Sequence, residues 1–565
     1  MKMEWKNITV IFIIALVSFN KAHSQTLPDS ITKKIDNLFA QWNTPNSPGC
    51  AIGIIRNDSL IYSKGYGMAD LEHDIPITPE TIFYMCSVSK QFTGYAVELL
   101  ARQGKLKLDE DIHVYLPLMA DFGKRITVRN LLNHTSGIRD DISLAAISGL
   151  GADGMITEDL ALNILKRQTS LNFAPGSSYL YSNSNYVLLS EIVSAVSGKS
   201  FRAFIDSAIF KPLGMAHSRF VDHYSETIKN RAFSYEVANK NSFSNDYQNV
   251  YTLGDGGLFT NITDMAKWVS NFFYPKAGDT KDIDLFTEKG RLSNSNEIPY
   301  ALGIAVKKYK GWTEFQHAGG LAGYRTFLSV FPDLKMGFLV FSNVGNFQSQ
   351  NRTHDLANLF ISDAVKNIVT TKPKNTDSSI AVLKDPERVK MYMGDYIADE
   401  GIQFNFSIVN QKVYWIRNGR TSLLVNKAKD TFSVFDSPEV TFIFERTPGK
   451  EIIVKEYWPV DNNFSLTKYV AIVSPQTDKQ LEAYTGEYYC PELDCQYGIQ
   501  LKDHQLVLTS NKYNDAPLKL IGYNDLLDKS YLLSHLKIIR DSNKKIKGFE
   551  ANSESVLHLR FNKIK

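Results

Sequence analysis

Apolar and polar positions along this chain follow two different periods, and the switch between them divides it. Over residues 31–42 apolar side chains recur every three to four positions, the spacing of an amphipathic helix. Residues 50–55 and 60–66 form two apolar runs about Asn57-Asp58, a hairpin pattern. A second helical stretch covers 90–102 and stops at Gly104. Residues 323–331 and 336–342 read as strands parted by Pro332-Asp333. Together they predict a mixed α/β unit, an antiparallel sheet flanked by helices, over residues 25–366.

Residues 367–385 then turn to Lys, Thr, Asn, Ser and Pro, the composition of a linker. Beyond it the pattern is short β-rich runs with polar turns, and it repeats. Tyr392-Met393-Gly394-Asp395-Tyr396 returns as Tyr484-Thr485-Gly486-Glu487-Tyr488. The strand pair about Asn410-Gln411 returns about Asp503-His504, and Arg446 returns as Arg540. Three features that keep one spacing are what a duplicated domain leaves behind. Two small antiparallel β-barrel-like domains are expected, at 386–472 and 479–565.

The amino terminus carries a different signal. Lys2 and Lys6 precede an apolar run over 8–19, and Ala22-His23-Ser24 sets small residues where a signal peptidase cuts. The run is shorter than the ~20 residues of a membrane span. Residues 1–24 are therefore expected to be a signal peptide, the location periplasmic or secreted, with no transmembrane span after cleavage. With 63 basic and 60 acidic residues the net charge is only +3, which argues against a nucleic-acid partner. Four cysteines cannot make a disulfide scaffold, although Cys490 and Cys495 are near enough to close a small loop.

Three short motifs could do chemistry. Ser87 and Lys90, three apart at a helix start, lie on one face, so the amine can approach a hydroxyl that is otherwise a poor nucleophile. Ser-x-x-Lys recurs elsewhere in the chain, at Ser465 for example, and alone it describes a surface pair. Tyr181-Ser182-Asn183 supplies a phenol that can serve as acid or base and a carboxamide that can hydrogen-bond a substrate. His317-Ala318-Gly319-Gly320 joins an imidazole to glycines that let backbone approach a ligand. Cys86, beside Ser87, reads as a small buried residue. The scattered histidines have no metal-ligand spacing, so neither metal nor cofactor is expected.

In this order the motifs resemble the penicillin-recognising serine hydrolases, in the branch of class C β-lactamases, D-aminopeptidases and D-stereospecific esterases. Leu131-Leu132-Asn133-His134-Thr135-Ser136-Gly137, Gly256-Gly257-Leu258 and Asp264-Met265 extend the resemblance, which covers about residues 30–365. It implies a β-lactamase/transpeptidase-like domain and an acyl-enzyme mechanism. Ser87 would be the nucleophile, Lys90 and Tyr181 would carry the proton, and Asn183 would orient the acyl side chain. His317 and Gly319 would line the substrate site, and the N–H groups of Ser87 and Gly320 would form the oxyanion hole. The sequence departs from the pattern at His317, where β-lactamases and many carboxypeptidases carry lysine. Imidazole is mostly neutral at pH 7, and the resemblance shifts toward D-aminopeptidases and esterases, whose members also carry trailing barrel domains. The expected substrate is a small peptide, amide or ester, with peptidoglycan-derived peptides among the candidates. The alternatives are a β-lactamase or D,D-peptidase, and a non-catalytic binder of cell-wall peptides. Specificity is expected to depend on a glycine-containing loop at 143–157.

Overall fold

The computed structural model describes residues 27–565 except 151–153, 240–241, 363–380, 384, 398–402, 418–419, 436–439, 447–451, 459–460, 467–476, 523, 529, 531 and 554. The expected signal peptide and most of the expected linker lie outside the described residues.

The first unit is built on a six-stranded antiparallel sheet in the order Ala305–Tyr309, Trp312–Leu321, Tyr324–Phe331, Met336–Ser342, Cys50–Arg56, Ser59–Tyr66. Alternation along its strands feeds two apolar layers. Cys50, Ile52, Ile54, Phe338 and Val340 meet Ile35 and Phe39 of the helix Asp29–Phe39 and Leu356 of the helix Ser349–Ala357. Ala51, Ile55, Leu339 and Phe341 face the other way, toward the helix Ile262–Asn271. Gly53 and Gly337 make that close approach possible. A Cβ on Gly53 would lie 2.7 Å from Ile262 Cγ2, and one on Gly337 2.3 Å from Val269 Cγ1.

Beyond this layer the helix Lys90–Arg102 is the spine of a helical region. Phe92 packs on Trp268 at 4.5 Å between ring centroids, and Gln91 accepts from the Trp268 indole. Every residue of this helix from Lys90 to Leu100 is buried, so it fixes whatever its first turn carries. The start of the expected loop at 143–157 is helical instead: it lies in the helix Asp141–Ile147, whose first turn is capped by the Asp140 side chain accepting from the Ser143 N–H.

The C-terminal half holds two sheet domains. Residues Gly486–Cys490 to Leu559–Lys563 form a closed eight-stranded barrel. Residues Gly394–Ile397 to Asp461–Leu466 form an eight-stranded antiparallel meander, the other of the two barrel-like sheets expected, and among the described residues its first and last strands are not paired. In the barrel, Tyr488 and Tyr489 of the first strand pair with Lys563 and Asn562 of the last. The copies share local devices: Tyr396 donates to the Tyr392 carbonyl and Tyr488 to the Tyr484 carbonyl, both at 2.6 Å. Asn410-Gln411 and Asp503-His504 are both left-handed at both positions, as a two-residue hairpin turn requires. Cys490 and Cys495 stand opposite each other on neighbouring strands as free thiols.

The two copies differ in how they attach. The meander has an apolar core of its own around Phe404, Phe406 and Phe442. The barrel's Tyr488, Phe549 and Phe561 belong to the same continuous core as Phe92 and Trp268 of the first unit. Among the described residues no helix is long and apolar enough to cross a membrane.

Candidate active site

Ser87 sits in the 3-10 turn Cys86–Ser89, one turn ahead of the α-helix at Lys90. Three residues per turn still puts positions three apart on one face, and Lys90 Nζ lies 3.2 Å from Ser87 Oγ. Cys86 opens the turn with a left-handed φ of 50°, an uncommon conformation for a residue with a side chain. Its thiol is buried against the Tyr84 carbonyl, and burial raises its pKa, so it stays protonated.

Lys90 is fully buried. Besides Ser87, its Nζ donates at 2.8 Å to Asn183 Oδ1 and at 2.8 Å to the Asp255 carbonyl, and it lies over the Tyr181 ring. Burial lowers its pKa from 10.5 to about 8, against the pull of Asp255, Asp140 and Asp141. A neutral amine has two N–H bonds and one lone pair. Asn183 Oδ1 and the Asp255 carbonyl can only accept, so they take the two hydrogens and leave the lone pair for the Ser87 hydroxyl. The Tyr181 hydroxyl is also hydrogen-bonded to Ser87, and burial holds its pKa above the ordinary phenol value.

The Leu131–Gly137 motif is the scaffold for Tyr181. His134, left-handed at φ 56°, packs tilted against the Tyr181 ring at 4.3 Å and accepts through Nδ1 from the Ser182 N–H and from Asn185 Nδ2. Ser136 donates to Asn185 at 2.6 Å. The segment thus holds the loop that delivers Tyr181 and Asn183 to Lys90.

The opposite wall is the strand Trp312–Leu321, tied to the nucleophile turn by Thr326, whose hydroxyl donates to the Met85 carbonyl at 3.0 Å. Gly319 is at the tightest point. A Cβ there would lie 2.3 Å from the Met85 carbonyl oxygen and 2.3 Å from Thr326 Oγ1. Gly319→Ala should therefore push the strand off the Ser87 turn and lower kcat/KM by roughly a hundredfold, the scale expected of a displacement near 1 Å. A Cβ on Gly320 meets nothing nearer than Arg325 Cδ at 3.7 Å. Steady-state kinetics of the two alanine variants should separate the positions.

His317 is buried, and both ring nitrogens are engaged inside the protein. Nδ1 donates to the Ala318 carbonyl at 2.7 Å, so Nε2 of the neutral ring accepts from the Tyr300 hydroxyl at 2.8 Å. Burial, helped by Lys90, lowers its pKa from 6.5 to about 3, and the ring is neutral at any ordinary pH. The wall therefore offers no permanent cation at this position, and the imidazole arranges Tyr300.

Sequence reading missed three members of this network. Asp140 and Asp255 each adjoin a quoted motif, three residues after Gly137 and one before Gly256, and that proximity was the available signal. Tyr300 carried none. Asn183 also does more than expected: its N–H and Nδ2 donate to Asp140 Oδ2 at 2.7 and 2.9 Å while Oδ1 serves Lys90.

The family model for beta-lactamase matches residues 35–360, more than half of the chain. The chain belongs to the beta-lactamase family. Within this family it is similar to the D-aminopeptidase of Gluconobacter oxydans, 29% identical over 282 residues, 49% of this chain and 52% of the relative. The D-aminopeptidase of Brucella ovis is 29% identical over 278 residues, 49% of this chain and 53% of that one. The chain thus spans about half the length of the curated relatives it matches. Among solved structures, the octameric penicillin-binding protein homologue from Pyrococcus abyssi aligns with a TM-score of 0.54 and 22% identity, covering 86% of this chain and 99% of that one. FmtA from Staphylococcus aureus aligns at 0.50 and 22%, covering 60% and 93%. These structural likenesses establish the beta-lactamase fold, with its sheet and helices.

Proposed function

We propose that this beta-lactamase-family hydrolase cleaves amides or esters of small peptides through a Ser87 acyl-enzyme, with preference for a D-residue at a free amino terminus. The observation that carries the chemistry is the Ser87 hydroxyl held between the Lys90 amine, 3.2 Å away, and the Tyr181 hydroxyl. Lys90 takes the hydroxyl proton as Oγ bonds to the substrate carbonyl carbon. The N–H groups of Ser87 and Gly320 would stabilise the oxyanion. Tyr181, kept protonated by burial, hands its proton to the leaving amine or alkoxide and regains one from Lys90. Water then attacks the ester with the same groups reversed.

The substrate reading rests on two supports. The relatives named above are D-aminopeptidases. Neutral His317 leaves the strand without the fixed charge that would favour a substrate carboxylate. The apolar leader at the amino terminus supports export to the periplasm or medium.

A panel of p-nitroanilides and p-nitrophenyl esters of L- and D-amino acids, with free and blocked amino groups, tests the reading. Preference for free D-amino termini is expected. Turnover of nitrocefin exceeding that of every amide and ester would select a β-lactamase instead, and blocked substrates cleaved as fast as free ones would select a general esterase.

A further inference from the structure

We propose that Asp140 is a positioning residue for the nucleophile, fixing the Asn183 carboxamide so that its oxygen faces Lys90, and that the C-terminal barrel holds Asp140 in place. The proposal rests on the acyl-enzyme reading. The Asp140 carboxylate can only accept, and it receives both the N–H and Nδ2 of Asn183 on Oδ2. That fixes which end of the amide turns toward Lys90. With the amide reversed, Nδ2 would face Nζ, two donors would oppose each other, and the amine would lose one of the acceptors that aim its lone pair.

The barrel grips this segment from the far side. Asp140 itself donates its N–H to the Ser555 carbonyl at 3.3 Å. Its neighbour Arg139 is buried, and all five of its N–H bonds are used. Nε donates to the Leu557 carbonyl at 2.9 Å, Nη1 to Glu492 at 2.8 Å and Gln168 at 3.0 Å, and Nη2 to the His558 carbonyl at 2.9 Å and Ser170 at 2.8 Å. Three of those five acceptors belong to the barrel. Glu492 also accepts from the Thr169 N–H at 2.9 Å, and the Asn172 side chain bonds both Ser555 and Leu557. A guanidinium saturated in this way has one position available, because any shift strands a buried donor. The continuous apolar core beneath the contact holds the two sides together. A path of hydrogen bonds therefore runs from the barrel through residues 139 and 140 to Asn183, Lys90 and Ser87.

The test is the rate at which a fluorophosphonate probe labels Ser87 in the full-length protein, measured against pH. It reads nucleophile activation whatever the substrate. Asp140→Asn is nearly isosteric and can still cap the following helix, but its amide cannot accept from Asn183 and Ser143 with both atoms. It is expected to label about tenfold or more slowly, the cost of a misdirected reacting group. Its acidic limb should move to lower pH, because one anion near Lys90 is gone while Asp141, Asp255, Cys86, Tyr181, His134 and His317 still face it. Glu492→Ala should slow labelling in the same direction, and Glu492→Gln, which keeps an oxygen for Arg139 and Thr169, should restore most of the rate. In the double variant Asp140→Asn/Glu492→Ala the losses should fall short of additive, as they must along one path. Wild-type labelling in Asp140→Asn, or a lowered melting temperature with wild-type labelling in Glu492→Ala, overturns the proposal. So does equal loss in the alanine and glutamine variants. A wild-type protein that reacts elsewhere than at Ser87 overturns the acyl-enzyme reading itself.

Discussion

Ser87→Ala is expected to lower turnover of any substrate by a factor of about 10⁴ or more, the scale at which a nucleophile acting as a unit with its base is lost. Both Lys90 and Tyr181 are directed at this hydroxyl, and Cys86 cannot replace it because its thiol is buried and protonated. The fold should survive, since Ser87 is a half-buried residue of a short turn and the helix behind it is held by Phe92 and Trp268. Loss of activity with an unchanged circular dichroism spectrum and melting curve is the expected outcome. A variant retaining more than a hundredth of wild-type turnover would exclude Ser87 as nucleophile.

The second large effect is at Lys90. Lys90→Met removes the proposed proton acceptor and should cost roughly 10²–10⁴ in kcat/KM, the range ascribed to a general base. Lys90→Arg should do no better, because a guanidinium stays charged and cannot take a proton. In the proposed mechanism the free amine is the active form, so kcat/KM should rise about tenfold per pH unit up to about 8 and then level, with no separate inflection near 6.5, because His317 is already neutral there. The same group affects stability. Its folded pKa is depressed from 10.5 to about 8, so between those values the unfolded chain binds more protons than the folded one. Its contribution to stability is full above pH 10.5 and is lost as the pH falls through 8. Rate measurements from pH 5 to 10 together with denaturant melts at pH 8 and 10 check both signs.

Much of the candidate site's geometry was readable because its motifs are local. Ser87 and Lys90 are three residues apart, Tyr181 and Asn183 two, and His317 and Gly319 two, so each motif carries its geometry in its own spacing. The duplicated sheets were readable for a related reason: Tyr392 and Tyr396, like Tyr484 and Tyr488, form a hydrogen bond within five residues. What stayed hidden depends on distant segments. Arg139 meets Glu492 across 353 positions, and nothing near either residue marks the other. Tyr300 owes its role to His317, through a bond that exists only after the strand has formed. The helix at Asp141–Ile147 was misread because its cap lay just outside the stretch read as loop, whose glycines suggested an irregular chain.

The sheet order bears on how the nascent chain behaves. Residues Cys50–Arg56 and Ser59–Tyr66 can pair as soon as they are made, but the other neighbour of Cys50–Arg56 is Met336–Ser342, reached only after the whole helical region has been synthesised. The seal at the strand end, from the Gly49 N–H to Asn343, closes a separation of 294 residues. At ordinary elongation rates of about 5–20 residues per second that interval is roughly 15–60 s. Throughout it an apolar strand has one edge unpaired, the condition that invites misassociation between chains. The ribosome-bound intermediate ending before residue 336 is therefore the species for which chaperone capture during translation matters most.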